Sequence, residues 1–204
     1  MFSGICLAVA MGTAYAGGLA ASGYVQQIET IKNTGASNTV TVKLYWKNDS
    51  LRVERYTIDG LRVEIKKGRE LYEYLPSQKA AMKIVLPESQ SQTVEQIMLS
   101  KASVVKSGKK VGSAKVNGFP CDVYTGGEGG RSGKVYLSTD SRFPLPLKME
   151  ISSGSASQIT ETTEVKLNTA VSDSMFTLPK GTTVKTQSLN APKAPKRSAA
   201  HKRR

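Results

Sequence analysis

The chain has 204 residues, a formal net charge of +13, 22% charged residues and 6% aromatic residues. That length fits one domain, or one domain plus tails, and the composition excludes a fibre. Six of the positive charges (Lys193, Lys196, Arg197, Lys202, Arg203 and Arg204) stand near the C-terminus, which leaves the rest of the chain about +7.

No charged side chain precedes Glu29, and the opening "MFSGICLAVAMGTAYA" is a short apolar run ending in Ala14-Tyr15-Ala16. Small residues in that pattern mark a signal-peptidase site, so residues 1–16 are expected to be a signal peptide and the protein to be exported to a periplasm. The run is shorter than the ~20 apolar residues a membrane span needs. Cys6 would leave with the leader, making Cys121 the only thiol of the mature chain. An intramolecular disulfide and a cysteine-based metal site are then impossible, and Cys121 reads as a small hydrophobe in a strand.

From there to residue 189 the apolar period is two almost throughout. "GYVQQIETIK" reads as a strand, and in "TVTVKLYWK" Val40, Val42, Leu44 and Trp46 face one way, with Thr41, Lys43, Tyr45 and Lys47 opposite. "LRVERYTIDGLRVE" states four letters twice, and no third copy makes an array. Asp59-Gly60 and Lys67-Gly68 are two-residue turn signals. Folding at the first pairs Ile58 with Leu61, Tyr56 with Val63 and Arg55 with Glu64. Folding at the second pairs Ile65 with Glu70, Val63 with Tyr72 and Leu61 with Tyr74. Tyr56, Ile58, Leu61, Val63, Ile65, Tyr72 and Tyr74 are thus expected on one face of a three-stranded meander.

One stretch reads as a helix, residues 91 to 105, where Val94, Ile97, Met98 and Val105 recur at helical spacing after a capping-box match of Ser89 with Gln92. Strands resume after Asn117-Gly118. "LPLKMEI" places Leu145, Leu147, Met149 and Ile151 on one face, and "ITETTEVKL" does the same for Ile159, Thr163, Val165 and Leu167. Residues 190–204, "NAPKAPKRSAAHKRR", have nothing to bury and are expected to be disordered.

Catalytic chemistry is scarce. The only histidine, His201, lies in the tail, which leaves serine and cysteine without a base. Glu161 with Glu164 and Glu70 with Glu73 read as solvated strand surface. "GGEGGRSGKV" lacks the Ser/Thr and the following helix of a phosphate loop, and reads as a hairpin loop. The expectation is a non-enzyme with no cofactor and no metal. The tail could hold an anionic membrane surface through Lys193, Lys196, Arg197, Lys202, Arg203 and Arg204. The folded part shows no basic stripe interleaved with aromatics, so no specific nucleic acid is expected.

The succession "LYWKNDSLRVERYTIDGLRVEIKKGRELYEYLPSQKAAMKIVLP", a helix, "KVNGFPCDVY", "GKVYLSTDSRFPLPLKMEI" and "VSDSMFTLPKGTTV" resembles the LolA-like lipoprotein-sorting proteins over about residues 24 to 186. The resemblance implies an α+β fold, a strongly curved, mostly antiparallel sheet forming an unclosed half-barrel covered by one or two helices. It implies a monomeric periplasmic carrier that binds lipid or a lipoprotein acyl chain on the concave face, as a chaperone without chemistry. Trp46, Tyr56, Ile58, Leu61, Val63, Ile65, Tyr72 and Tyr74 would then line the cavity, with Val94, Ile97 and Met98 as its lid. The sequence departs from the family in having Asn48-Asp49 where an Arg-Pro pair is usual, and in lacking an N-terminal helix. Two other readings stand beside this one. The apolar face is simple core of a structural or sensory envelope domain that acts by protein contacts, or the tail makes the protein a polyanion-binding module.

Overall fold

Period-two alternation becomes a single sheet of twelve strands in the computed structural model, which describes residues 19–100, 108–128, 131–140, 142–143 and 145–188. The first six strands are β1 Ser22–Asn33, β2 Ala36–Lys47, β3 Ser50–Thr57, β4 Gly60–Lys67, β5 Glu70–Leu75 and β6 Ala80–Val85. After the helix α1, Val94–Ser100, come β7 Lys109–Val116, β8 Phe119–Glu128 and β9 Arg131–Ser138. The last three are β10 Pro146–Ser153, β11 Ala156–Leu167 and β12 Thr183–Ser188. The leader, Val105 and the basic tail lie outside the described residues.

The spatial order is β12-β6-β5-β4-β3-β2-β1-β11-β10-β9-β8-β7, antiparallel except where β12 runs parallel to β6. β7 and β12 remain as two free edges, so the sheet does not close. It nevertheless curls: in the turn between β7 and β8 the Asn117 side-chain amide donates to the Thr162 carbonyl on β11, although three steps of the order, about 14 Å on a flat sheet, separate β8 from β11. Asn117 and Gly118 both have positive φ, the backbone that Asn-Gly hairpins favour. The expected curved, unclosed sheet is therefore the observed fold.

Four local expectations need correction. The β3–β4 hairpin turns at Ile58-Asp59, with Thr57 opposite Gly60, Tyr56 opposite Leu61 and Arg55 opposite Arg62. Gly60, the residue just after this turn, carries a positive φ of 110°, whereas Asp59 lacks the positive φ that a two-residue Asp59-Gly60 turn would require of it. The β4–β5 hairpin likewise pairs Lys67 with Glu70, Ile65 with Tyr72 and Val63 with Tyr74. Both registers move by two residues, which keeps the expected residues on one face but removes the Arg55–Glu64 pairing. Third, α1 is framed by Thr93 and Gln96, each bonding the other's backbone N–H through its side chain. That capping box replaces the expected Ser89–Gln92 pair, since Glu88–Gln90 form a separate 3-10 turn after Pro87. Fourth, a bulge at Gln26/Gln27 in the β1–β11 pair breaks the alternation of β11. Val165 stands opposite Val25 but Thr162 stands opposite Gln27, so Ile159 and Val165 end on different faces.

Candidate functional site

Residues directly opposite in an antiparallel ladder point to the same face, and this rule shows that the sheet carries two apolar layers on opposite sides. The inner face, which α1 covers, takes Val25 of β1, Val42, Leu44 and Trp46 of β2, and Leu51 and Val53 of β3. Across the β3–β4 pair that face turns polar, because Leu51, Val53 and Arg55 stand opposite Lys66, Glu64 and Arg62. The apolar side chains of β4 point the other way. Val63 and Ile65 join Tyr74, Ala81, Val171 and Phe176 in a second cluster on the outer face. The chain between β11 and β12 roofs it, held by Arg52 donating to the Met175 carbonyl at 3.1 Å and by the Lys47–Asp173 ion pair at 2.8 Å.

The eleven residues expected to line one cavity are therefore divided. Trp46, Val94 and Met98 are buried together on the inner face, with Ile97 packed against them. Val63, Ile65 and Tyr74 are buried on the outer face beneath Phe176, with Leu61 and Tyr72 at their margin. Tyr56 is also on the outer face, and Ile58 is 91% exposed at its turn. A meander and a helix on opposite sides of one sheet cannot enclose a ligand between them. The sequence pattern gave the faces of β3 to β5 correctly, but it carried no sign of which side the helix would take.

The inner site is built around Trp46, which is fully buried. Gly23, opposite it on β1, leaves the indole room to lie across the backbone; a Cβ there would come within 2.2 Å of the ring. The Trp46 indole N–H donates to the Ala20 carbonyl at 2.7 Å, and Ala20 N–H donates to the Arg142 carbonyl. Leu19 packs on the same core and its N–H reaches Glu95 of α1 at 3.3 Å. Phe143, Leu145 and Leu147 close the other side.

Helix α1 is seven residues long and is tied down at its start. One Asp49 carboxylate oxygen accepts the Val94 N–H at 3.0 Å and lies 3.3 Å from the Lys66 ammonium, which is 4% exposed. Asp49 belongs to the Asn48-Asp49 pair where the sequence departs from its resemblance, and here it fastens helix to sheet. Met98, one turn further on, covers a small void of ≈ 10 Å³ lined also by Val25, Gln27, Leu44, Leu145, Pro146 and Met149. Gln27 is the residue that the sequence reading missed: it is in phase with Val25 on β1 and faces inward although it is polar. Among the described residues no group of three or more His, Cys, Asp or Glu side chains could hold a metal. Cys121 is a free, buried thiol whose pKa is raised, chiefly by burial.

The six basic tail residues, Lys193 to Arg204, lie outside the described residues. Among the described residues four lysine–tyrosine ring contacts pair Lys43 with Tyr56, Lys83 with Tyr72, Lys148 with Tyr136 and Lys166 with Tyr24, at 5.1–5.7 Å. They cover ring faces that would otherwise meet water.

No family model and no curated protein matches the chain. Among solved structures, an uncharacterized conserved protein from Thermus thermophilus aligns at 13% identity and a TM-score of 0.56, over 82% of this chain and 91% of that one. This likeness shows the fold. Looser likenesses include the MucA/MucB complex of Pseudomonas aeruginosa, at 16% identity and TM-score 0.46, over 76% of this chain and 55% of that one. A LolA superfamily protein from Nitrosomonas europaea aligns at 14% identity and TM-score 0.41, over 76% and 90% of the two chains.

Proposed function

We propose that the protein is an exported, non-enzymatic envelope protein that carries lipid or a lipoprotein acyl chain on the inner face, beneath α1. The observation that carries this reading is the apolar inner face: a continuous strip from Val25 to Leu51 on which, among the described residues, Val94 and Met98 of α1 are buried and Ile97 is packed at the margin. Methionine is unbranched and repacks readily, so Met98 is suited to yield its place to a flexible chain. The gain on binding would come from apolar burial, ~25 cal/mol per Å². The basic tail would add attraction to an anionic membrane where such chains are picked up or delivered.

A specific observation favours a second reading. The void beneath Met98, ≈ 10 Å³, is about the size of one water and far below the ~300 Å³ of an ordinary ligand pocket. With α1 seated the inner face is packed core, as a structural or sensory envelope domain acting by protein contacts requires. Native mass spectrometry of protein produced with its leader and extracted from the envelope separates the two. Acyl-chain adducts on a chain starting near Gly17 support the carrier. An unliganded protein that also takes up no tetradecanoate supports the alternative, and an intact Met1 on a cytosolic protein removes export.

A further inference from the structure

The inner face contains one polar group whose placement serves neither the sheet nor the packing. Gln27 follows Val25 on the inward side of β1, opposite Val42 on β2, and the bulge in the β1–β11 pair sets Thr162 opposite it on β11. Gln27 is 7% exposed, and its one side-chain hydrogen bond joins its amide to the Thr162 hydroxyl at 3.1 Å. The other end of the amide has no protein partner among the described residues, yet no fully enclosed side-chain nitrogen or oxygen lacks one. That end is therefore not sealed. The open space beside Gln27 is the void that it lines with Val25, Leu44, Met98 and Met149. An apolar side chain could fill this place on a strand of a packed core without leaving half an amide unpaired.

We infer that Gln27 selects among apolar ligands, and that the preferred class is an acyl chain bearing a hydroxyl group. This rests on the carrier reading above and names what that carrier distinguishes. A chain that displaces Met98 presses onto Val25, Leu44 and Met149 and must cross the open end of the Gln27 amide. A methylene at that point strands a buried polar group; a hydroxyl both donates and accepts, so it pairs whichever end of the amide faces it. Thr162 fixes the amide from behind, and its own hydroxyl is buried among the strands. The residue acts by recognition and takes part in no bond-making.

The test uses delipidated full-length protein and two probes, tetradecanoic acid and beta-hydroxytetradecanoic acid, followed by the emission of Trp46, the only tryptophan. The wild type is expected to bind the hydroxylated acid about tenfold more tightly, the worth of one well-made buried hydrogen bond. Gln27→Leu should abolish the preference while binding the plain acid at least as well. Thr162→Val, which leaves the apolar lining intact, should reduce the preference and provides the result if the leucine variant melts early. Equal binding of the two acids by wild type, or a preference that survives both substitutions, overturns the inference while leaving the carrier in place. Binding of neither acid by a folded wild type overturns both.

Discussion

Gly23 and Trp46 show how much of the site rests on single atoms. The largest side chain of the core lies against a residue with none, and the nearest ring atoms would be 2.2 and 2.3 Å from an added Cβ. Gly23→Ala should destabilise the fold by about 1–3 kcal/mol, the usual cost of overpacking, and shift Trp46 emission to the red. A thermal melt with fluorescence detection reads both; an unchanged midpoint would mean the indole does not lie there. At Tyr56, burial and then the hydrogen bond from its hydroxyl to Glu54, 2.8 Å, push the phenol pKa up to about 12. The folded protein keeps this proton after the unfolded chain has released it, so the contribution is whole below about pH 10 and is lost as pH rises towards 12. Tyr56→Phe should flatten the alkaline limb of a denaturant-midpoint against pH plot, and a limb of the same slope in both proteins would contradict that origin. Trp46 was legible in the sequence as one of four alternating apolar residues. Gln27 was not, because a glutamine in a strand reads as solvated surface even where, as here, it is in phase with the buried Val25.

At the scale of elements, the alternation of β2 to β5 was readable because each strand has one wet side and one dry side, and a register error of two residues preserves which is which. Readability ended at the helix. Val94, Ile97 and Met98 announce an amphipathic face, but either side of a sheet with two apolar layers could receive it. The choice is made by a polar contact, Asp49 to the Val94 N–H and to Lys66. Asp49→Ala removes a cap and leaves Lys66 buried without its partner, a combined cost of about 1–3 kcal/mol. Because this contact holds the first turn of α1, the loss should appear as faster amide hydrogen exchange in residues 94–98 before it appears in the strands. Asp49→Asn keeps an acceptor for the helix and should lie between alanine and wild type. Equal exchange in all three proteins would show that the helix is held by its apolar contacts alone.

At the scale of the molecule, the curl of the sheet, the free edges and the net charge of +13 belong to one argument. An open, curled sheet offers an inner face without a closed barrel's fixed volume, so the seating of α1 can decide between packed core and binding seat. The basic tail, with six Lys or Arg residues, supplies attraction of about 1 kcal/mol each near an anionic bilayer, fading over the ~8 Å Debye length of physiological salt. Vesicles containing anionic lipid should retain the full-length protein at low salt, release it at high salt, and fail to retain a form ending at Leu189. Identical retention of both forms would leave the tail a solubilising extension, and equal retention on duplex DNA would make it a general polyanion binder.

The central claim is that an acyl chain occupies the inner face in place of Met98. Photo-crosslinking with a tetradecanoic acid carrying a diazirine in its chain, followed by peptide mass spectrometry, tests this most directly. The account predicts that label falls on Val25, Leu44, Met98, Leu145 or Met149, and that excess unlabelled acid removes it. Label confined to the outer face around Val63, Tyr72 and Phe176, or label that excess acid does not displace, would contradict it.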